Sequence, residues 1–432
     1  MRPRRAAAIA TAIATAVVGV VVVLGWTAFR TIDRSDGQAP ALAGAPVDDT
    51  AIVRGEYLAK AADCIACHTA PGGGKPFAGG VAFKLPFGTI YSSNITADPA
   101  TGIGRWTDEQ FVRALREGIR SDGQQLYPAF PYTSYIQLSR SDVLAIKAYL
   151  FSRPIVSQAS TPSSLSFPFN QRWAMAFWNA AFLKSERFTP TPERSPQWNA
   201  GAYLFGALGH CAECHTPRNV AFALQHRNEL AGESLQGWKA PNITSDTRHG
   251  VGAWSDRELA DYLSTGHAAG HGSAGGPMGE VIANSLQFLR AKDIDALVVY
   301  LRGVPARAMG PLVTASAVHP AGPDVQDASQ QGLKLFDSAC ASCHLWNGEG
   351  RQTSLAALAG ARATGDIEGA NVTQMILHGA QMKVNGAEVS MPAFGDAYSD
   401  TEVAALANHV IARFGNRTGV VTPAMVAKQR RP

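Results

Sequence analysis

The sequence predicts an all-α chain: three small helical domains in tandem, preceded by one apolar helix. Three observations lead there. An apolar run from Ala6 to Phe29 follows Arg2, Arg4 and Arg5. A block built on Cys-x-x-Cys-His occurs three times and takes up all 6 cysteines. Each block then closes on a stretch of helical period opened by an aspartate: Asp142 to Leu150, Asp293 to Leu301 and Asp400 to Ile411.

Composition bounds the class. A chain of 432 residues with 46% hydrophobic and 17% charged residues has an ordinary globular balance. Its net charge is +4, with basic clusters only at the termini, so nucleic acid is excluded as a partner. The 42 glycines and 25 prolines fit small, loop-rich domains.

The first element is the apolar run. At a rise of about 1.5 Å per residue it is long enough to cross a bilayer core of about 30 Å. It exceeds the apolar core of about 7–15 residues in a cleaved signal. Residues 1–40 are therefore expected to form a membrane anchor or signal with its linker. Ala41-Leu42-Ala43 is the site where a cut would fall. The leading arginines keep the N-terminus cytoplasmic. The expected location is thus the inner membrane, with the remaining chain on the periplasmic side.

The repeated motifs are Cys64-Ile-Ala-Cys67-His68, Cys211-Ala-Glu-Cys214-His215 and Cys340-Ala-Ser-Cys343-His344. C-x-x-C-H is the attachment signature of c-type haem. Two thiols a helical turn apart add to the two vinyl groups of one haem, and the next residue puts an imidazole under the iron. An exported chain could pair its cysteines as disulfides, and zinc would need four ligands at each site. Neither use explains three identical spacings. The expected cofactor is three covalently bound haem c, on Cys64 and Cys67, Cys211 and Cys214, Cys340 and Cys343. His68, His215 and His344 are the proximal ligands.

On this basis the architecture is three tandem cytochrome c domains, 46–155, 196–306 and 324–415, after one N-terminal transmembrane helix. Domains of about 100 residues bury little core, and a bound haem serves as filler and staple. The repeats also match outside the motifs. Arg54-Gly55-Glu56-Tyr57, Ala200-Gly201-Ala202-Tyr203 and Gly332-Leu333-Lys334-Leu335-Phe336 each read as a helix leading into a motif. Asn94-Ile95-Thr96 and Trp106-Thr107-Asp108 match Asn242-Ile243-Thr244 and Trp254-Ser255-Asp256 at equal spacing. Asn94, Trp106, Asn242 and Trp254 are candidate donors to haem propionates, since a buried carboxylate needs donors. Ser157 to Pro168, Thr189 to Pro196 and Pro305 to Pro323 read as linkers, and the polar tail after Phe414 as loosely ordered.

Methionine is the common sixth ligand of an electron-transfer haem. Met278 in Gly275-Gly276-Pro277-Met278 and Met391 in Met391-Pro392-Ala393-Phe394 hold that place in the second and third repeats. Met375 and Met382 are the rivals in the third; Met375 fits a preceding helix. The first repeat departs. Phe130, in Tyr127-Pro128-Ala129-Phe130-Pro131, stands at the aligned position, and Phe cannot ligate iron. That haem is five-coordinate or takes a ligand from outside its repeat, and Met175 is the nearest sulfur in sequence, with interdomain packing as its other reading. His267 and His271 lie in a Gly-rich loop and do not make a metal site. The run Gly270 to Gly276 lacks the strand and acidic residue of a nucleotide loop. His210, beside Cys211, faces either a haem edge or plain packing.

The pattern resembles the triheme cytochrome c subunit of bacterial membrane-bound dehydrogenases for alcohols, aldehydes, gluconate and related substrates. The resemblance rests on Phe87-Gly88-Thr89-Ile90-Tyr91-Ser92-Ser93-Asn94-Ile95-Thr96, Thr101-Gly102-Ile103-Gly104, Gly209-His210-Cys211-Ala212-Glu213-Cys214-His215-Thr216-Pro217-Arg218 and Met391-Pro392-Ala393-Phe394. It implies a catalytic partner subunit that is a quinoprotein, a flavoprotein or a molybdenum hydroxylase. It implies ubiquinone or a soluble protein as acceptor, the membrane as anchor, and no catalytic residue in this chain. Alcohol-type members carry Met where this chain has Phe130; Phe goes with cytochromes that serve molybdenum hydroxylases. The alternatives weighed are an autonomous haem enzyme such as a peroxidase, which lacks a distal base here, and a sensor, for which no signalling domain remains.

Overall fold

The computed structural model describes Gly19 and residues 35–44, 50–311 and 330–430. In the first repeat, α1 (Ala51–Ala61) is capped by the Thr50 side chain and buries Tyr57, Leu58 and Ala61. The chain turns at Asp63, in left-handed conformation, into the single turn α2 (Cys64–His68). The helix α3 (Asp108–Glu117) opens on a capping box between Thr107 and Gln110 and stops at Gly118. The short α4 (Tyr132–Tyr135) leads to the closing helix α5 (Arg140–Phe151), which packs across α1.

The interrepeat segment holds α6 (Ala174–Phe182), an apolar helix with no buried residue. The second repeat then runs α7 (Pro196–Tyr203), a π-helical turn over Leu204–Leu208, and α8 (Ala212–His215). It continues through α9 (Asp256–Thr265), α10 (Gly276–Asn284) and α11 (Ala291–Arg302). The third runs α12 (Gln330–Ala339), α13 (Ala341–His344), α14 (Ala370–His378) and α15 (Asp400–Gly415). The crossing of leading and closing helices explains one repeated glycine. A Cβ on Gly55 would sit 1.8 Å from the Ala145 carbonyl oxygen, on Gly201 1.9 Å from that of Ala296, and on Gly332 2.4 Å from that of Ala405. Only glycine lets these backbones meet.

The all-α expectation is corrected. Short antiparallel strands form four small sheets. They pair β1 (Ala82–Leu85) with β2 (Gly88–Tyr91) and β3 (Ser164–Leu165), and β4 (Glu233–Leu235) with β5 (Trp238–Ala240). The others are β6 (His267–Ala268) with β7 (Gly272–Ser273), and β8 (Ala380–Val384) with β9 (Ala387–Met391). Such strands are too short for a period of two to stand out, and they bury little.

Three self-contained tandem domains are corrected as well. The first two repeats share one hydrophobic core, from Leu58, Leu138 and Ile146 to Leu208, Ile282 and Leu297, and Met382 and Val384 of the third repeat reach into it. A second core, around Phe336, Val403, Leu406 and Ile411, belongs to the third repeat alone. As for the spanning helix, no described helix is long and apolar enough to cross a membrane. The run Ala6 to Phe29 lies, Gly19 apart, outside the described residues. The tail after Phe414 is also better ordered than its polarity suggests. It forms α16 (Pro423–Arg430), with Val421 and Val426 buried against the third repeat.

Candidate haem-binding site

Each motif forms one helical turn, which puts its two cysteines on one face. All six thiols are free. Burial pushes Cys64, Cys67 and Cys211 up to about 12 and Cys340 to about 11.

The motif histidines share one geometry. Nδ1 of His68 donates to the Ser93 carbonyl oxygen at 2.7 Å, that of His215 to Pro241 O at 2.7 Å, and that of His344 to Ala356 O at 2.6 Å. A carbonyl on Nδ1 fixes the tautomer and leaves the Nε2 lone pair free for a metal. Burial lowers all three imidazoles, His215 to about 4, so they stay neutral.

The carbonyls on His68 and His215 are held by the residues that follow them. Asn94 donates to Val156 O at 2.8 Å and Gln158 O at 3.2 Å, and its Oδ1 accepts from the Thr96 backbone and hydroxyl. Asn242 donates to Arg307 O at 2.7 Å and Met309 O at 3.0 Å and accepts likewise from Thr244. Both amides are thus committed to backbone, tying the strap over the histidine to the segment after the closing helix. Trp106 is half-buried, packed against the shared core. Trp254 is 5% exposed, and its Nε1 has no partner among the described residues.

One cavity of about 2890 Å³ runs along the second and third motifs, with Met278 and Met391 on its wall, and reaches the first motif at Cys67. Ordinary small-molecule pockets hold about 300–1,000 Å³. Met278 lies in the first turn of α10 and packs on the shared core. Met391 ends β9, and Phe394 and Gly395 donate from their backbones to Ile376 O and Leu377 O of α14, which pins the loop. The rival sulfurs Met375 and Met382 line the same cavity. Met382 is 8% exposed within the shared core, and Met375 lies against Gly275. Phe130 sits edge-on to Tyr135, whose hydroxyl donates to Ala62 O. Met175 lines the cavity near Tyr127, Pro128 and Ala129, on a helix fastened to that strip by Arg172 to Gln125 O and Tyr132 to Asn179. His210 is half-buried and edge-on to Tyr135.

Paired thiols, a neutral imidazole with a free lone pair and a large cavity fit covalently attached haem, and with it an electron carrier of the cytochrome c class. Residues 52–153 match the family model of cytochrome c, and 327–410 that of cytochrome C oxidase, cbb3-type, subunit III. Those two spans, not three, carry the family match. The chain is 40% identical to the fructose dehydrogenase cytochrome subunit of Gluconobacter japonicus, over 88% of this chain and 82% of that one. It is 37% identical to the gluconate 2-dehydrogenase cytochrome c subunit of Pantoea cypripedii, over 90% and 92%. It is 34% identical to the cytochrome c subunit of the quinone-type alcohol dehydrogenase of Gluconacetobacter polyoxogenes, over 90% and 86%. The chain belongs to the family of cytochrome c subunits of bacterial dehydrogenases. Its function is electron transfer through haem c as a subunit of a dehydrogenase complex.

Sequence reading missed one feature that positions the site. Tyr57 Oη donates to Asp293 Oδ2 at 2.6 Å, and Tyr203 Oη to Asp142 Oδ2 at 2.7 Å. Each leading helix thus bonds the other repeat's closing helix. The signal was the tyrosine shared by the first two repeats and replaced by Phe336 in the third.

Proposed function

We propose that the chain carries three haem c groups, in segments 46–155, 196–306 and 324–415. It takes electrons from a catalytic dehydrogenase subunit, a quinoprotein, flavoprotein or molybdenum hydroxylase, and passes them to ubiquinone or a soluble acceptor. The complex works at the inner membrane, facing the periplasm. The observation that carries the reading is the threefold pairing of a C-x-x-C-H turn with a carbonyl on the histidine's Nδ1.

In this reading Cys64, Cys67, Cys211, Cys214, Cys340 and Cys343 form the thioethers. His68, His215 and His344 would hold the irons, and Met278 and Met391 would supply further ligands to the second and third. The first haem lacks a methionine at Phe130, and Met175, the nearest sulfur in sequence, lines the same cavity as Tyr127, Pro128 and Ala129. When bound, the haems supply one-electron chemistry. The chain's own part is to orient the imidazoles, keep them neutral and exclude water.

The test is the mass of the mature protein made with a working haem-maturation system, together with stopped-flow reduction by the partner plus its substrate. Three added haems, reduction only with the partner present, and recovery in periplasm-facing membrane fractions are expected. Two or fewer haems, or reduction by substrate alone, would overturn the reading.

A further inference from the structure

Beside the second motif, two donor-bearing side chains line the cavity. One is the indole Nε1 of Trp254, buried and unpartnered among the described residues. Its ring is fixed by stacking on His271 at 3.9 Å and by an edge contact to Tyr262 at 5.5 Å. The other is the guanidinium of Arg362, which comes from the third repeat, on the 3-10 turn Arg362–Gly365. Its backbone N–H donates to His271 O at 3.1 Å and its Nη2 to His249 O, both in the second repeat. Among the described residues no carboxylate pairs with it, and burial pulls it down to about 10. Arg362, Trp254, Tyr262 and His215 all line the same cavity.

The turn is held in register from both sides. Lys239 bonds Asp366 at 3.2 Å, and Asn371 exchanges hydrogen bonds with the Lys239 backbone. Gly272, at φ +88°, admits Ala361 so closely that a Cβ would lie 2.6 Å from its Cα. A part-buried cation without a counter-charge is costly. A guanidinium is compensated best by a carboxylate taken in two parallel hydrogen bonds. In a cavity fitted to haem, the carboxylates at hand are the propionates.

We infer that Arg362 and Trp254 together hold a propionate of the haem attached at Cys211 and Cys214, Arg362 reaching across from the third repeat. This rests on the reading of that motif as a haem site. The third repeat then completes the second haem's pocket and fixes its charge, so the propionate edge of that haem faces the third repeat. Asn242, the other donor expected there, is committed to backbone.

The test uses the full haem-loaded chain with Arg362→Gln, Arg362→Lys and Trp254→Phe. The readouts are potentiometric titration at several pH values and the propionate-bending bands in resonance Raman spectra. In Arg362→Gln one midpoint potential should fall, because a cation favouring the reduced haem is gone. The same potential should become more pH-dependent near neutrality, because the released propionate titrates. Arg362→Lys should keep most of the potential but shift the propionate band, and Trp254→Phe should shift that band alone. Unchanged potentials and bands at full haem content in Arg362→Gln overturn the inference. If that variant does not accumulate, an unchanged band in Arg362→Lys overturns it equally. A Cys211–Cys214 peptide without haem mass in the unaltered protein would instead overturn the reading on which the inference rests.

Discussion

At the scale of single residues, the first repeat is where the chain departs from its own pattern. Phe130, edge-on to Tyr135, stands where alignment of the repeats puts Met278 of the second. Loss of a Met ligand should lower that haem's potential, since Met/His ligation raises it. One atypical haem in three is the expected outcome: a high-spin or non-Met signal when oxidised, and partial carbon monoxide binding when reduced. Met175, brought to the Tyr127–Pro131 strip by Arg172 and Asn179, is the residue that could restore ordinary ligation. Phe130→Met should turn the atypical haem low-spin and Met-ligated if the position is open. Met175→Leu should create a high-spin haem only if Met175 is the ligand. Three ordinary Met-ligated haems that survive Met175→Leu would sink both accounts. Residue chemistry was also what the sequence showed best. The Cys and His positions follow from spacing alone. For the asparagines, a sequence shows that Asn94 can donate but not that Val156 O and Gln158 O are its acceptors.

At the scale of elements, the closing helices were legible because a capping residue and a period of 3.6 coincide, as at Ser399 with Glu402. The hairpins were less so, although one had a signal. Asn385 and Gly386 both adopt positive φ between β8 and β9, the two-residue turn for which Asn-Gly is the strongest short marker. The C-terminal helix α16 was hidden because its anchors are few. Val426 is buried, while Arg430 bonds Asp400 at 2.8 Å, Tyr398 O at 3.0 Å and Gly395 O. Those carbonyls follow directly on Met391-Pro392-Ala393-Phe394, so α16 braces the loop that carries the third repeat's methionine. Arg430→Ala should cost about 1–2 kcal/mol, the range for partly exposed hydrogen bonds to a charged group. It should also weaken the Met-to-iron charge-transfer band of one haem. Arg430→Lys should recover part of the stability but not all of it, since one ammonium cannot span three acceptors in a plane. Thermal unfolding and near-infrared absorption of the two variants check this. An unperturbed band in Arg430→Ala would remove α16 from any role at the loop.

At the scale of the whole molecule, three repeats in sequence have become one interlocked pair and a third, docked unit. The difference lies in a few side chains that no periodicity reveals. Tyr57 and Tyr203 reach across to Asp293 and Asp142, and each hydroxyl also accepts a backbone N–H, from Arg290 and Ser139 at 3.1 Å. The arrangement is reciprocal, as a pseudo-twofold contact between two copies of one unit requires. Phe336 cannot make such a bond, and the third repeat accordingly has a core of its own. Removing one hydroxyl leaves a buried carboxylate short of a donor and a backbone N–H without an acceptor, at a cost of about 1–3 kcal/mol. For a unit of about 250 residues that corresponds to roughly 2–4 °C per kcal/mol. Calorimetry of the haem-loaded protein should therefore show one transition shared by the first two repeats and another for the third. Tyr57→Phe and Tyr203→Phe should each lower the shared transition by several degrees, and both together by about the sum, leaving the other in place. Two transitions that separate the first repeat from the second, or a Tyr57→Phe effect confined to the first, would mean that the shared core does not make them one cooperative unit.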